Sequence, residues 1–370
     1  MVNRDRMVKE FMELAVIDSL SLQERNMADT LKPKLEALGF EVCEDDAGKK
    51  TGGNTGNLIG TLKGEKDVPA LLLLAHMDTV VPGTGKKPQI EGNYIKSDGT
   101  TILGGDDLAG VECILEAVRV LKEKNLAHGD IQVAFTIAEE IGLLGAKNLD
   151  YGRIYAKYGV VLDDGGPIGS VAILAPSQNK IDIVVKGKAA HAGMEPEKGI
   201  SAIQIASEAI SKMKLGRIDE ETTANIGIIH GGLATNIVCE KIEIRAEARS
   251  RNESKLKEQT EHMRECFRQA AQKFGGSVDF QPSLEYPAYS IKETDKIIGI
   301  LKKAAALSGI DILLKATGGG SDTNIVNGKG IQAVDISVGM DRVHSVEEQI
   351  CIDDMVKAAG FLADIITSVE

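Results

Sequence analysis

Tryptophan is absent from the 370 residues, and aromatic residues make up only 4%. A surface that stacks nucleic-acid bases has little to be built from. Basic residues are outnumbered, with 43 Lys and Arg against 55 Asp and Glu, for a net charge of −12. That balance repels phosphate backbones and anionic lipid, and no basic block offsets it locally. No apolar stretch approaches the ~18–20 residues that a membrane span needs. Met1–Arg6 is polar, with no apolar signal core behind it. The expectation is a cytoplasmic protein with no nucleic-acid or membrane partner. Cysteine is sparse too: five residues, scattered, with no CxxC pair. This excludes a disulfide framework and a thiolate metal cluster of the usual spacing. The glycine-lysine loop that cradles nucleotide phosphates is also missing.

What the chain does have is one pattern used three times: an apolar, strand-like run that stops at acids. Ala70–Ala75 runs into His76-Met77-Asp78, Ile131–Ala138 into Glu139-Glu140, and Gly159–Leu162 into Asp163-Asp164. Ionised carboxylates beside a hydrophobic core are costly unless something compensates them. Three such clusters suggest one shared partner, most economically a metal centre.

Apolar residues make up 43% of the chain, enough for a large core. Ser21-Leu22-Gln23-Glu24 reads as a capping box opening a helix that Gly39 stops, with Pro33 predicting a kink or a split. A helix from about Asp107 carries Val111, Ile114, Leu115, Val118 and Leu121 at helical spacing. Strands alternating with helices predict an α/β fold, a mainly parallel sheet with helices on both faces. After Pro176 the pattern changes. Lys180–Lys188, Ala224–Ile229, Lys241–Ala248 and Ser277–Gln281 read as strands, and Gly199–Leu215 and Glu253–Phe274 as helices. That order is the ferredoxin-like β-α-β-β-α-β unit. The α/β rhythm then returns, with a helix at 294–308, a strand at 331–338 and a helix at about 352–368. The predicted organisation is a first domain at 1–177 and 285–370, interrupted by an inserted domain at 178–284.

In open α/β sheets, ligands bind outside the carboxyl ends of the strands, where all three clusters fall. His76 and Asp78 allow one to hold a metal while the other orients it, in either assignment. Asp106-Asp107 opens a helix, so one of the pair can serve simply as an N-terminal cap. Glu139 and Glu140 sit where a strand has ended, so one can bind metal while the other holds a water as general base. Zn²⁺ accepts such N and O ligands, and Co²⁺ or Mn²⁺ can substitute. Two such ions polarise a carbonyl and lower the pKa of bound water, which is hydrolytic machinery.

The ordered set of segments Leu74–Val80, Ser97–Asp107, Ala138–Gly142, Asp164–Gly169, Ala190–Gly193, Gly318–Asp322 and His344 before Ser345–Glu348 resembles the M20 metallopeptidases. Within them it is most similar to the peptidase T (tripeptide aminopeptidase) branch. The resemblance spans nearly the whole chain. It implies a di-zinc exopeptidase-like catalytic domain with a lid and dimerisation domain inserted, and a homodimer formed through that lid. It implies two Zn²⁺ per chain, held by His76, Glu140, Asp164 and His344, with Asp106 bridging. Glu140 would share one ion with His344, and Asp164 the other with His76. Asp163 is the adjacent alternative, and the following Gly165-Gly166-Pro167 favours Asp164. Asp78 would orient His76. Glu139 would be the general base acting on a water shared by the two ions. His191 would stabilise the developing oxyanion, in several relatives from the partner subunit, with Asn236 near the same oxygen. Arg249 would hold a substrate carboxylate. Two positions depart from the family's usual pattern: Leu108 replaces a common Lys, and Cys239 stands where many members have Pro. The implied activity is hydrolysis of small peptides. The rival of the same fold is an N-acyl-amino-acid deacylase or carboxypeptidase, and the rival of another class is a metal-dependent binding protein without catalysis.

Overall fold

Leu71–His76 and Ile131–Thr136 are buried at every position. Continuous apolar strands of this kind need cover on both faces, as a parallel sheet between helices provides. The computed structural model describes residues 2–370. Its large sheet centres on four parallel strands in the order Ile131–Thr136, Leu71–His76, Tyr158–Gly165 and Gln332–Asp341. Antiparallel strands extend both sides: Leu58–Leu62 and Glu41–Glu44 on one, and Gln349–Cys351, Tyr94–Lys96 and Gln89–Glu91 on the other. These flanks are short, and no sequence periodicity announces them. The helix Gly105–Lys124 is buried along most of its length, and the helix Ile352–Ser368 supplies a second run of buried apolar residues.

The chain divides into two compact units. Among the described residues the first comprises 2–173, 290–316 and 321–370, and the second 174–289 and 317–320. The second therefore takes in a few residues more on either side than the predicted 178–284, together with the Thr317–Gly320 segment.

The second unit has its own antiparallel sheet, in the order Gly216–Arg217, Thr222–Gly231, Lys241–Ser250, Ser177–Lys186 and Ser277–Tyr286. Apart from the two-residue strand at its edge, this is the ferredoxin-like arrangement. Helices Ala202–Lys212 and Glu253–Phe274 cover it, packing Ile205, Ala206, Met263 and Phe267 against Ile181, Ile183 and Ile244.

One local expectation fails. Ser21 caps no helix. The helix is Arg25–Ala37, unbroken through Pro33, and Ser21 Oγ donates instead to Asp78 Oδ2 at 2.6 Å.

Candidate metal centre and active site

The four parallel strands place the acids as their ends predict. His76 closes its strand, Asp163 and Asp164 are the third-last and second-last residues of theirs, and Glu139-Glu140 follow Thr136 by three and four residues. His344 lies three residues past the end of Gln332–Asp341, in a left-handed backbone conformation with φ of +61°. Asp106 comes from the first turn of Gly105–Lys124, where its backbone departs from helical geometry.

The side chains form a continuous chain of contacts. His76 Nε2 lies 3.0 Å from Asp106 Oδ1 and 3.7 Å from Asp163 Oδ1. Asp106 Oδ2 lies 3.1 Å from His344 Nε2, which is 2.9 Å from Glu140 Oε1. Asp106 thus turns one carboxylate oxygen to each histidine. The result is two histidine–carboxylate sets that share one aspartate. His76, Asp106 and Glu140, and likewise His76, Asp107 and Asp163, bring ligand atoms within 4.8 Å of one another.

The electrostatics show what this cluster lacks. Burial raises the pKa of Asp163 well above the usual carboxylate range, and the charge of Asp106 adds to it. Burial does the same to Glu139, reinforced by Asp163. Glu140 is also raised by burial, with His344 opposing. Burial works against the charged form of His76, but Asp106, Asp163 and Asp78 outweigh it and push the group well above an ordinary histidine. Asp106 and Glu140 lift His344 to about 10. Burial works to raise Asp106, yet the two histidines hold it below its ordinary value. Protonated histidines thus supply the positive charge among crowded carboxylates. A donor set of two imidazoles and several carboxylates, short of cationic partners, fits divalent ions of the zinc, cobalt and manganese type.

Behind the cluster, Asp78 is wholly buried. Its Oδ1 accepts from Glu139 N at 2.9 Å, and its Oδ2 from Glu140 N at 3.2 Å and from Ser21 Oγ. His76 Nδ1 lies 2.9 Å from the Asp78 carbonyl oxygen, which fixes the ring and leaves Nε2 to the cluster. Two further side chains continue the row. Ala138 N donates to Glu24 Oε1 and Ile137 N to Asn57 Oδ1, both at 3.0 Å. Four successive amides, 137–140, are therefore held by side chains rather than by a sheet partner. The turn they fix includes Ala138 at φ of +49°, a conformation that needs such support. Glu139 is 8% exposed and belongs to neither histidine set.

Asp163 and Asp164, the adjacent alternatives for one ligand, lie in different surroundings. Asp163 faces His76, whereas Asp164 pairs with Lys315, whose Nζ lies 2.8 Å from Oδ2 and 3.0 Å from Oδ1. The reason is a bulge. Asp335 pairs with Val161 but Ser337 with Asp164, so Tyr158–Gly165 carries one extra residue there and its alternation shifts. Asp335 Oδ1 accepts from Asp163 N at 3.0 Å and holds the bulge. Sequence reasoning also missed Ser21, Glu24, Asn57, Lys315 and Asp335. Each acts on a residue far away in sequence, and only contact geometry could have found them.

The remaining expected residues lie in the second unit. His191 is exposed, and its Nδ1 accepts from Gly193 N and Met194 N at 3.2 and 3.1 Å. In the neutral ring the proton then sits on Nε2, the outward nitrogen. Ala192 N donates to the Asn236 carbonyl at 2.9 Å, so the two segments are paired, and Asn236 is exposed. Arg249 is engaged by Glu247 through two bonds, Nε–Oε1 at 3.0 Å and Nη2–Oε2 at 2.9 Å. A substrate carboxylate would have to displace Glu247.

The family model for Peptidase family M20/M25/M40 matches residues 72–368. An uncharacterized protein, YqjE of Bacillus subtilis, is 48% identical over 366 residues, covering 99% of both chains. The crystal structure of the aminopeptidase PepT from Bacillus cereus is 47% identical, with a TM-score of 0.90 over 99% of each chain. That of a tripeptidase from Staphylococcus aureus is 40% identical, with a TM-score of 0.95 over 99% of this chain and 98% of that one.

Proposed function

Because the chain belongs to the M20/M25/M40 peptidase family, we propose that it is a two-metal aminopeptidase that cleaves small peptides, tripeptides foremost. One observation carries this reading: Asp106 presents one carboxylate oxygen to each of two histidines, as a carboxylate shared by two ions must. His76, Asp106 and Asp163 would hold one ion, and His344, Asp106 and Glu140 the other. Zinc is the proposed metal, since a mixed nitrogen and oxygen donor set suits it. Bound there, the pair would polarise the scissile carbonyl and make water a competent nucleophile near neutral pH.

The chain's own groups do the rest. Glu139 takes the proton from the attacking water and delivers it to the leaving amine. Its backbone is fixed by Asp78, so the carboxylate waits in place rather than being ordered at each turnover. His191 offers Nε2–H to the oxygen that gains charge, with Asn236 beside it. Arg249 binds the substrate carboxylate by exchanging Glu247 for it.

We further propose a homodimer through the second unit. Beyond the two-residue pairing with Gly216–Arg217, residues 225–231 form an open sheet edge among the described residues. Ile228 and Ile229 on it are 52% and 55% exposed. The opposite edge, Ser277–Tyr286, carries Pro282, which lacks the donor that pairing needs. Free thiols at all five cysteines suit a reducing compartment and support a cytoplasmic location.

The test is turnover on a panel of tripeptides, dipeptides and N-acetyl amino acids, with metal content measured on the same preparation. Tripeptides are expected to be cleaved fastest, from the free amino end. Preference for acylated substrates would replace this reading with the deacylase one.

A further inference from the structure

The helix Gly105–Lys124 breaks from helical geometry at Asp106 and Asp107, and Asp107 Oδ1 caps its regular part by accepting from Gly110 N at 3.0 Å. Gly104, in the turn that precedes this part, has no side chain to accept from the amides of Leu103–Asp106. Those amides are met from 242–245 residues away. Glu348 Oε2 accepts from Leu103 N at 2.7 Å and Gly104 N at 2.9 Å, and its Oε1 from Asp106 N at 3.0 Å. Glu348 is 1% exposed, so this is a buried carboxylate spent wholly on backbone donors. Charged acceptors make the stronger hydrogen bonds to backbone N–H groups, and one carboxylate that meets three of them fixes the turn they belong to.

The surrounding backbone is shaped for this contact. Gly104 has φ of +80°, a conformation open to glycine. A Cβ on Gly105 would come within 3.2 Å of Glu348 Oε1, tighter than a side chain normally tolerates. Glu348 is itself anchored. Its carbonyl accepts from Ser97 N at 3.1 Å, and the following strand Gln349–Cys351 pairs with Tyr94–Lys96. It stands four residues after His344, in the same loop. One side chain thus ties the backbone of Asp106 to the segment that delivers His344.

We propose that Glu348 is the positioning residue of the metal centre: by bonding the backbone of the turn that carries Asp106 from the His344 loop, it sets the shared carboxylate between the two histidines. This rests on the two-metal reading given above. Glu348 touches neither metal nor substrate. It acts through Asp106, and such outer partners are worth ~10–100-fold in metal affinity.

The experiment is a calorimetric zinc titration of metal-stripped protein, at a temperature where every variant is folded. Glu348→Gln keeps the size but turns an amide NH₂ toward backbone donors, so at least one of the three bonds is lost. Zinc affinity is expected to fall ~10-fold or more. Gly105→Ala approaches the same contact from the helix side with a good helix former, and should weaken binding in the same direction but less. It keeps the test alive if Glu348→Gln does not fold. Glu116→Gln is the control for stability. Glu116 is buried on the same helix and is bonded to Arg6 at 2.8 Å. Losing it should lower the unfolding temperature and leave zinc affinity at the wild-type value. Wild-type affinity in either Glu348→Gln or Gly105→Ala overturns the proposal, as does an equal affinity loss in Glu116→Gln. A wild-type protein that takes up no zinc overturns the two-metal reading and this proposal with it.

Discussion

Replacing Asp78 with alanine removes the acceptor that Glu139 N, Glu140 N and Ser21 Oγ share. Ser21 can turn its hydroxyl toward water or a neighbour, but the two amides are fixed by the turn. A buried donor left without a partner costs ~1–3 kcal/mol, so the pair costs ~2–6 kcal/mol. There is an offset. Burial and then the Asp78 charge lift the carboxyl of Glu24 to about 7, and removing Asp78 relieves the second cause. The net loss should therefore fall near the bottom of the range, ~2–3 kcal/mol. For a unit of this size each kcal/mol lowers the unfolding temperature by ~2–4 °C. The metal-free variant is expected to unfold ~4–12 °C below the wild type in scanning calorimetry. Asp78→Asn keeps one carbonyl oxygen and should lose about half as much. Turnover should fall further than stability does, because the same amides place Glu139. An Asp78→Ala protein that unfolds within ~1 °C of the wild type and keeps half its turnover would falsify the role assigned to these bonds.

Asp163→Asn should remove one metal equivalent per chain, whereas Asp164→Asn should retain both, since Asp164 pairs with Lys315; element analysis of the two variants reads this directly, and the reverse result restores Asp164 as the ligand. Glu24 has its pKa raised from 4.5 to about 7, chiefly by burial, so it adds no penalty below pH ~4.5 and its full penalty above pH ~7. At ~1.4 kcal/mol per unit that is ~3 kcal/mol, and Glu24→Gln should gain about that much on the wild type between pH 4.5 and pH 8 in urea unfolding; a constant difference across that range contradicts it. Ile228→Lys with Ile229→Lys on the open edge should convert a dimer to monomer in sedimentation without unfolding either unit, and an unchanged dimer would place the interface elsewhere.

The parts of the site that the sequence made legible share a feature. Each lies at the boundary where a buried run meets a charge, as His76, Glu139 and Asp163-Asp164 do. His344 also follows a buried run, but behind the mixed segment Asp341-Arg342-Val343, and it was singled out only through its place in the ordered set of motifs. The helix Glu253–Phe274 was legible to the residue, because a long amphipathic pattern with Asn252 before it and Gly275 after it fixes both ends. The different surroundings of Asp163 and Asp164 were not legible, because they go with a one-residue bulge against Gln332–Asp341 and no local pattern encodes that register. The Ser21 capping box was misread for a related reason. Its hydroxyl had a better acceptor in Asp78, 57 residues away. Glu24, Asn57 and Glu348 stayed hidden because their function is a bond to a distant backbone amide, and backbone amides are identical at every residue.

The central claim is that Glu139 moves the proton while other residues hold two metals. It is tested most directly by metal content and tripeptide turnover measured together on the wild type and Glu139→Gln. Two equivalents are expected in both proteins, and turnover in the wild type alone. Wild-type turnover in Glu139→Gln, or loss of a metal equivalent with it, would contradict the assignment.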